Sequence, residues 1–453
     1  MILKILNPVI LVVVSLFGIR YVDSGVLLQT KEQVSIVFTG EENGYLKPCG
    51  CTGGQLGGLI RRYEMIESLK ADGHIILPVS LGDLSKSPDR QSEIKMETML
   101  KAMDMMGYVV HNIGENDLAM DSGLLYYLCQ MYNVEFISAN IRFINNPEIE
   151  IKPYLIKTIS TKEFEFKVGF LGILSPFIVE SELHNIEIVD PVKALGPLVE
   201  KVRNDVDILV LLAHSEGDDA EYIAGKLPGF DIIITGHGIE DPETSFKMVN
   251  DTLILSSGKY GKYAGIVKFY YEMDKWHILP GKDEKFVEIV PIDERFKRPS
   301  KADTFIDEYK NLVMQEDLLG QHQKVELGQG EQYKGNTACG LCHPDIFEHW
   351  KTTKHFRAYE TLEKGGDQFD PECVKCHVVG LDYTTGFLDV RKTPELKDVG
   401  CESCHGFGSV HLADTSMPYK KMYKMECLKC HDPENSPHFD FPSYWEKIKH
   451  PVE

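Results

Sequence analysis

"CESCHGFGSVH", residues 401–411, holds a Cys-x-x-Cys pair, a histidine directly after it and another histidine six residues later. Alone, such a string suits a zinc ion, a disulfide or a tethered porphyrin. Three further strings share its spacing: "CGLCH" at 339–343, "CVKCH" at 373–377 and "CLKCH" at 427–431. The groups are Cys339, Cys342 and His343; Cys373, Cys376 and His377; Cys401, Cys404 and His405; Cys427, Cys430 and His431. Zinc does not require a histidine after every pair, and a disulfide requires none. A c-type haem does: two thiols a short turn apart add to its vinyl groups, and the adjoining imidazole reaches the iron. Four such strings imply four covalently bound haems.

The segment 336–453 has few long apolar periodic runs and much Pro, Gly and charge, so by pattern alone it makes a poor core. Four macrocycles would supply the missing apolar mass. Each iron has a second axial position, for which the histidines outside the strings compete: His349, His355, His411, His438 and His450. His411 closes the opening string. His355 lies in "EHWKTTKHFRAYETL", which reads as an amphipathic helix, and His438 and His450 flank a helix expected over "PSYWEKIKH". His355, His411, His438 and His450 are the expected distal ligands, with His349 as readily a surface residue. Four of the five would close every haem to substrate. An unfilled position would leave one iron open to a small molecule. The stretches "CGLCHPDIFEHWKTTKHFRAYETL", "CVKCHVVG", "CESCHGFGSVH" and "CLKCHDPENSPHFDF" resemble the tetrahaem c-type cytochromes of bacterial respiratory and nitrogen-cycle chains. That resemblance implies close-stacked haems forming an electron wire in a mainly helical, loop-rich multihaem domain.

The whole chain has 453 residues, room for two or three domains, and a formal charge of −21. That excess argues against a nucleic-acid backbone as partner. It suits cationic or small redox partners, and equally a merely well-solvated surface. Residues 1–24 carry Lys4 and an apolar run from Pro8 to Ile19, shorter than the ~20 residues a membrane span needs. This reads as an export signal or an uncleaved anchor, placing the protein in the periplasm or at the cell surface. Other redox proteins or a membrane electron-transfer complex are the expected partners, and self-association is left open.

From residue 33 to 296 the pattern changes to short apolar runs separated by amphipathic stretches. "VSIVFTG", "HIILPVSLGD", "VEFISANI", "KVGFLGIL", "DILVLLAHSEGD", "DIIITGHG" and "TLILSSGKYGKYAGIVKFYY" read as buried strands. "LGGLIRRYEMIESLKADG" and "SEIKMETMLKAMDMMG" read as helices between them. Such alternation predicts a layered α/β domain with functional residues just beyond strand ends, here Glu41, Asp83, His214 and His237.

The blocks "FTGEENGYL", "SLGD", "IGENDL", "LLAHSEG", "ITGHG" and "GKYGKYAG" resemble, in order and spacing, the motifs of calcineurin-like metallophosphoesterases, especially the catalytic half of exported 5′-nucleotidases. The resemblance covers residues 34–272 and implies an α/β sandwich with a two-metal site for phosphate ester hydrolysis. Asp83 matches the bridging carboxylate, and His214 and His237 match ligands of the second metal. Glu115 stands at that metal's asparagine position, and Asn116 replaces the catalytic histidine. Glu41 and Asn43 replace the aspartate and histidine of the first motif, and Ile239 replaces the last histidine. Ile239 has no lone pair, so one metal loses a ligand. Asn116 cannot protonate a departing alkoxide. What remains is either an emptied scaffold or a single divalent ion (Zn, Mn or Fe) held by Asp83, Glu115, His214 and His237.

"KPCGCTGGQLGGLIRR" follows the first strand. A bond between Cys49 and Cys51 is geometrically strained, so separate partners, a soft metal or reversible oxidation are all open. Cys129 reads as a buried apolar residue, with a bond to one of that pair as an alternative. Residues 297–335 read as one helix and a polar connector. Three functions stand: an exported electron carrier whose α/β domain serves docking or assembly, a metal-dependent phosphoesterase or other redox-coupled enzyme, or small-molecule chemistry at an open haem.

Overall fold

A computed structural model describes residues 20–21, 27–28, 33–49 and 53–450, apart from 147–148, 163, 181–182, 184, 243–245, 273–274, 278–286, 417–418 and 420–421. The segment read as an export signal or anchor therefore lies outside the described residues, save Arg20–Tyr21. The α/β region contains β1 (Gln33–Thr39), β2 (Ile75–Ser80), β3 (Val110–Asn112), β4 (Glu135–Ile137), β5 (Tyr154–Ser160), β6 (Glu165–Leu174) and β7 (Ile208–His214). It continues with β8 (Ile232–Thr235), β9 (Lys247–Val249), β10 (Thr252–Ser256), β11 (Tyr263–Glu272), β12 (Lys275–His277) and β13 (Val287–Pro291). One sheet has the order β12-β11-β1-β2-β3-β4, with β13 also on β11; the other has β9-β10-β8-β7-β6-β5.

Alternation along the strands builds the layers. Val34, Ile36 and Phe38 of β1 face Val210 and Leu212 of β7 and Ile232 and Ile234 of β8 between the sheets. Val37, one residue out of phase, points to the opposite face. There it meets helices α1 (Leu59–Ala71), α2 (Arg90–Met106) and α3 (Ser122–Met131). Behind the second sheet, Leu209, Leu211 and Ala213 pack on α4 (Pro191–Val202) and α5 (Gly217–Lys226). A one-residue slip would turn each of these sets to the wrong face. Strands β1 to β4 run parallel, as do β6, β7, β8 and β10, so their carboxyl ends can gather along one edge.

The connector departs from the sequence reading. Helix α6 (Asp303–Gln315) buries Ile306, Tyr309 and Val313 in the core beneath α2. Glu316 beyond it takes two hydrogen bonds from Arg90, at 2.7 Å each. The helix therefore packs in the α/β body, while the residues beyond it pack on the C-terminal part, where Leu319 is buried and Lys324 donates to the Phe387 carbonyl at 2.8 Å.

The remainder is short helices and turns around nine buried residues, among them Val374, Val379 and Phe387. The helix expected over 348–362 is broken in two, Pro344–Lys351 and Ala358–Gly365, by the turn Lys354–Arg357. Thr352 and Thr353 cause the break: each hydroxyl donates 2.7 Å back to a carbonyl three residues earlier, competing with helix propagation. The last expected helix covers only Phe441–Trp445. This part is fastened to the α/β body. Gln91 and Tyr309 both donate to Asp370, and Lys47 and Lys95 pair with Asp367 and Glu372 at 2.6 and 2.5 Å.

Candidate metal centre and haem ligands

Strand ends deliver the α/β cluster. Tight turns follow β1 and β2, where Glu41, Asn43 and Asp83 take positive φ of 45, 47 and 59°, an uncommon conformation for side-chain-bearing residues. The strain is met locally: Asp117 accepts from the amides of Asp83 and Leu84, both at 2.9 Å, and is held by His111 at 3.0 Å. His214, at the end of β7, is fully buried, and its Nδ1 bonds the Leu81 carbonyl at 2.9 Å. That turns Nε2 toward the cluster, where it would offer its lone pair to an ion.

Nε2 of His214 lies 2.6 Å from Glu115 Oε2 and 3.5 Å from Asp83 Oδ2. His237 Nδ1 lies 3.5 Å from Glu115 Oε1 and 3.6 Å from Glu41 Oε1. Glu115, His214 and His237 offer donor atoms all within 4.8 Å of one another, enough for one ion. Buried His237 Nδ1 lacks a hydrogen-bond partner, as an atom reserved for a metal would. Two imidazoles and a carboxylate suit Zn, Mn or Fe. Asp83, expected among these donors, sits at the border instead. Its oxygens accept the Asn116 backbone and side-chain amides at 2.9 and 2.6 Å. Asn116 thus orients the carboxylate and offers no proton relay.

The cluster is strongly coupled. Burial pushes the Asp83 carboxyl up to about 7 against the pull of His214. Burial alone would lower His214, but Asp83 and Glu115 raise it well above its ordinary value. Burial would raise Glu115, and the His214 hydrogen bond overcomes it and lowers that carboxyl. Sequence reasoning passed over the His111–Asp117 pair that supports Asp83, although Asp117 stands within "IGENDL". Cys129 is a free, half-buried thiol, pushed up to about 12 by burial, so no bond joins it to the Cys49 region.

In the haem region, three imidazole pairs face each other. The ring centres of His343 and His411 are 6.4 Å apart, those of His355 and His431 6.4 Å, and those of His405 and His450 6.0 Å. An iron held between two imidazole nitrogens at about 2 Å separates the ring centres by roughly 6 Å. The residues therefore fit bis-histidine haems at the first, fourth and third strings. Burial, then His431 and His377, push His355 down to about 4, keeping it neutral as a ligand must be. Thiols of the first and third strings, Cys339 and Cys401, lie within hydrogen-bonding reach, as do Cys376 and Cys430 of the second and fourth. The strings thus adjoin across the fold and not in chain order.

His438, read from the sequence as a distal ligand, is not in one of these facing pairs. It packs against the α/β body, where a Cβ on Gly54 would fall 2.2 Å from its Nε2. Among the described residues no imidazole ring pairs with His377, whose Nδ1 bonds the Ala358 carbonyl at 2.6 Å. His349 has a buried Nε2 without a hydrogen-bond partner.

The cytochrome family described as "Cytochrome c554 and c-prime" matches residues 338–406. Cytochrome c-554 of Nitrosomonas europaea is 35% identical over 97 residues, 18% of this chain and 41% of that protein. Snake venom 5′-nucleotidase of Gloydius brevicauda is 28% identical over 196 residues, 41% of this chain and 33% of that enzyme. In solved structures, the calcineurin-like phosphoesterase YfkN from Bacillus subtilis aligns with 63% of this chain and 99% of its own, at 17% identity and a TM-score of 0.51. This chain joins an α/β domain with the calcineurin-like phosphoesterase fold to a cytochrome c domain. It spans less than half the length of either curated relative. The phosphoesterase domain supplies the sandwich and its strand-end cluster, and the cytochrome domain supplies the CxxCH strings. Among the described residues no helix is long and apolar enough to cross a membrane.

Proposed function

We propose that this protein is an exported tetrahaem electron carrier, acting in the periplasm or at the cell surface between other redox proteins or a membrane complex. Its phosphoesterase-like domain is not a dinuclear hydrolase. Three facing imidazole pairs carry the reading, because an iron closed on both sides by histidine passes electrons without binding substrate. When bound, c-type haem supplies one-electron chemistry at each string. The chain's own contribution is to fix the imidazoles: Ser436 Oγ holds His431 Nδ1 at 2.8 Å, and the Ala358 carbonyl holds His377. The test is iron analysis beside optical and EPR spectra of the holoprotein. Four irons per chain in covalent haem, mostly low-spin, are expected. A colourless protein, or one with mainly high-spin iron, would overturn the reading.

A second reading is favoured at one place. With no imidazole ring facing His377 among the described residues, the second haem would keep an open side for a small ligand such as nitric oxide. Titrating the reduced protein should then show one binding equivalent per chain, and none if all four irons are closed.

The α/β cluster is proposed to hold a single divalent ion on Glu115, His214 and His237, with Asp83 beside it. His214→Ala should weaken metal binding by more than about 100-fold, since loss of even an outer partner costs 10–100-fold. Metal content after dialysis against a graded chelator reads this directly. Equal retention by the variant would leave the cluster an emptied scaffold.

A further inference from the structure

Cys49 is disulfide-bonded, whereas the nine other cysteines in described positions are free. Eight of those nine belong to the haem strings, and Cys129 is half-buried with its thiol pushed up to about 12. The oxidised sulfur is also exposed, so protons and water reach it. Its partner sulfur lies outside the described residues.

Its neighbours are what set it apart. Cys49 Sγ lies 3.9 Å from the carbonyl of Asn435, four residues after the haem ligand His431. Between them stands Gln55, 4% exposed, whose amide donates to Cys49 Sγ at 3.0 Å and approaches the carbonyls of Asn435 and Glu434 at 3.0 and 3.4 Å. The haem loop is itself tightly closed. Ser436 Oγ touches His431 Nδ1 at 2.8 Å, and the Ser436 amide donates to Asp432 O at 2.8 Å. Contacts therefore run from the ligand imidazole through Ser436 to the Asn435 carbonyl, which lies against the sulfur at 3.9 Å. Gly54 completes the seat. Its φ is +83°, and a Cβ there would collide with His438. The motif "CGCTGGQ" thus has a physical reading: glycine and glutamine seat the fourth haem loop, and the cysteine places oxidised sulfur against it.

We infer that the Cys49 disulfide is a redox centre exchanging electrons with the haem domain through the fourth CxxCH loop. The inference rests on the electron-carrier reading and gives that carrier a partner within its own chain. In the reductive direction the S–S bond breaks and two S–H bonds form. Two electrons come from two ferrous c-type haems, which become ferric, and two protons come from water. The reverse step returns both electrons to ferric haem. Gln55 is a positioning residue, holding the sulfur on the loop.

The experiment is an anaerobic reductive titration of the full holoprotein, with haem followed optically and thiols trapped by a maleimide for peptide mass spectrometry. Electron uptake should exceed the haem count by two equivalents, and the peptide holding Cys49 and Cys51 should gain two labels. Cys49→Ser should lose both the extra equivalents and the double label. To separate transfer through the haem loop from direct attack by the reductant, Gly54→Ala and Gln55→Leu are titrated alongside. With their haems equally reduced, labelling should slow by at least about tenfold, because small displacements of positioned groups cost rate steeply. Uptake equal to the haem count with no label, or equal labelling rates in wild type and both seat variants, overturns the inference. An absence of haem bands would instead remove the electron-carrier reading beneath it.

Discussion

Glu402→Ala is expected to loosen the cytochrome domain more than any other single change at a residue outside the ligand set. Glu402 is one of the two spacer residues of the third CxxCH string, yet it is only 2% exposed. Its carboxylate accepts from the Lys334 amide at 3.0 and 2.9 Å, the Gly335 amide at 2.8 Å and the Gly408 amide at 2.6 Å. Those first two amides lead into the helix Asn336–Cys342, which carries the first string. Asn336 returns the favour by accepting from the Cys401 amide at 2.8 Å. One carboxylate therefore clamps the first string to the third and holds the turn leading to His411. Alanine strands three buried or half-buried N–H groups at about 1 kcal/mol or more each, hence about 3 kcal/mol and roughly 10 °C in midpoint. Glu402→Gln keeps one acceptor oxygen and should fall between. Thermal unfolding followed at the haem Soret band measures this, with α/β-domain melting as internal reference. A shift under about 1 °C would mean that covalent haem, and not Glu402, holds the two strings together.

That glutamate marks where sequence reading stops. The CxxCH strings were legible because covalent chemistry fixes residue type and spacing at once, whereas the two spacer positions are chemically free. The sandwich was legible because Val34, Ile36 and Phe38, or Ile232 and Ile234, alternate with a period no helix shares. In the cluster, Glu115, His214 and His237 were found because strand ends place them. Asp83 was set among the donors because no sequence pattern shows Asn116 turning two amides onto its carboxylate. The place of His438 was illegible for a related reason. A histidine near a haem string is a ligand only if the chain brings it opposite an iron, and the ring of His438 packs on Gly54, nearly four hundred residues earlier. The contacts of Gln55 with the carbonyls of residues 434 and 435 are likewise between backbone and amide, which leave no composition to read.

His355→Ala and His438→Ala should therefore part company, although the sequence ranks both as distal ligands. His355 sits in the turn Lys354–Arg357, with its carbonyl accepting from the Val399 amide at 3.2 Å. Trp350 Nε1 donates to the Val399 carbonyl at 2.9 Å, so Val399 ties the backbone of His355 to the Trp350 indole. It faces His431 at 6.4 Å between ring centres, and alanine leaves nothing from position 355 to reach an iron there. One haem should turn from low- to high-spin, gain one equivalent of external-ligand binding, and shift in potential because its axial ligand has changed. In His438→Ala the spin states should stay as in the wild type, since that imidazole touches the loop at Gly54 and no iron-facing ring. EPR of the two oxidised variants decides the assignment. High-spin iron appearing in His438→Ala and not in His355→Ala would exchange their roles, and would pull the fourth haem loop away from the Cys49 seat on which the disulfide inference depends.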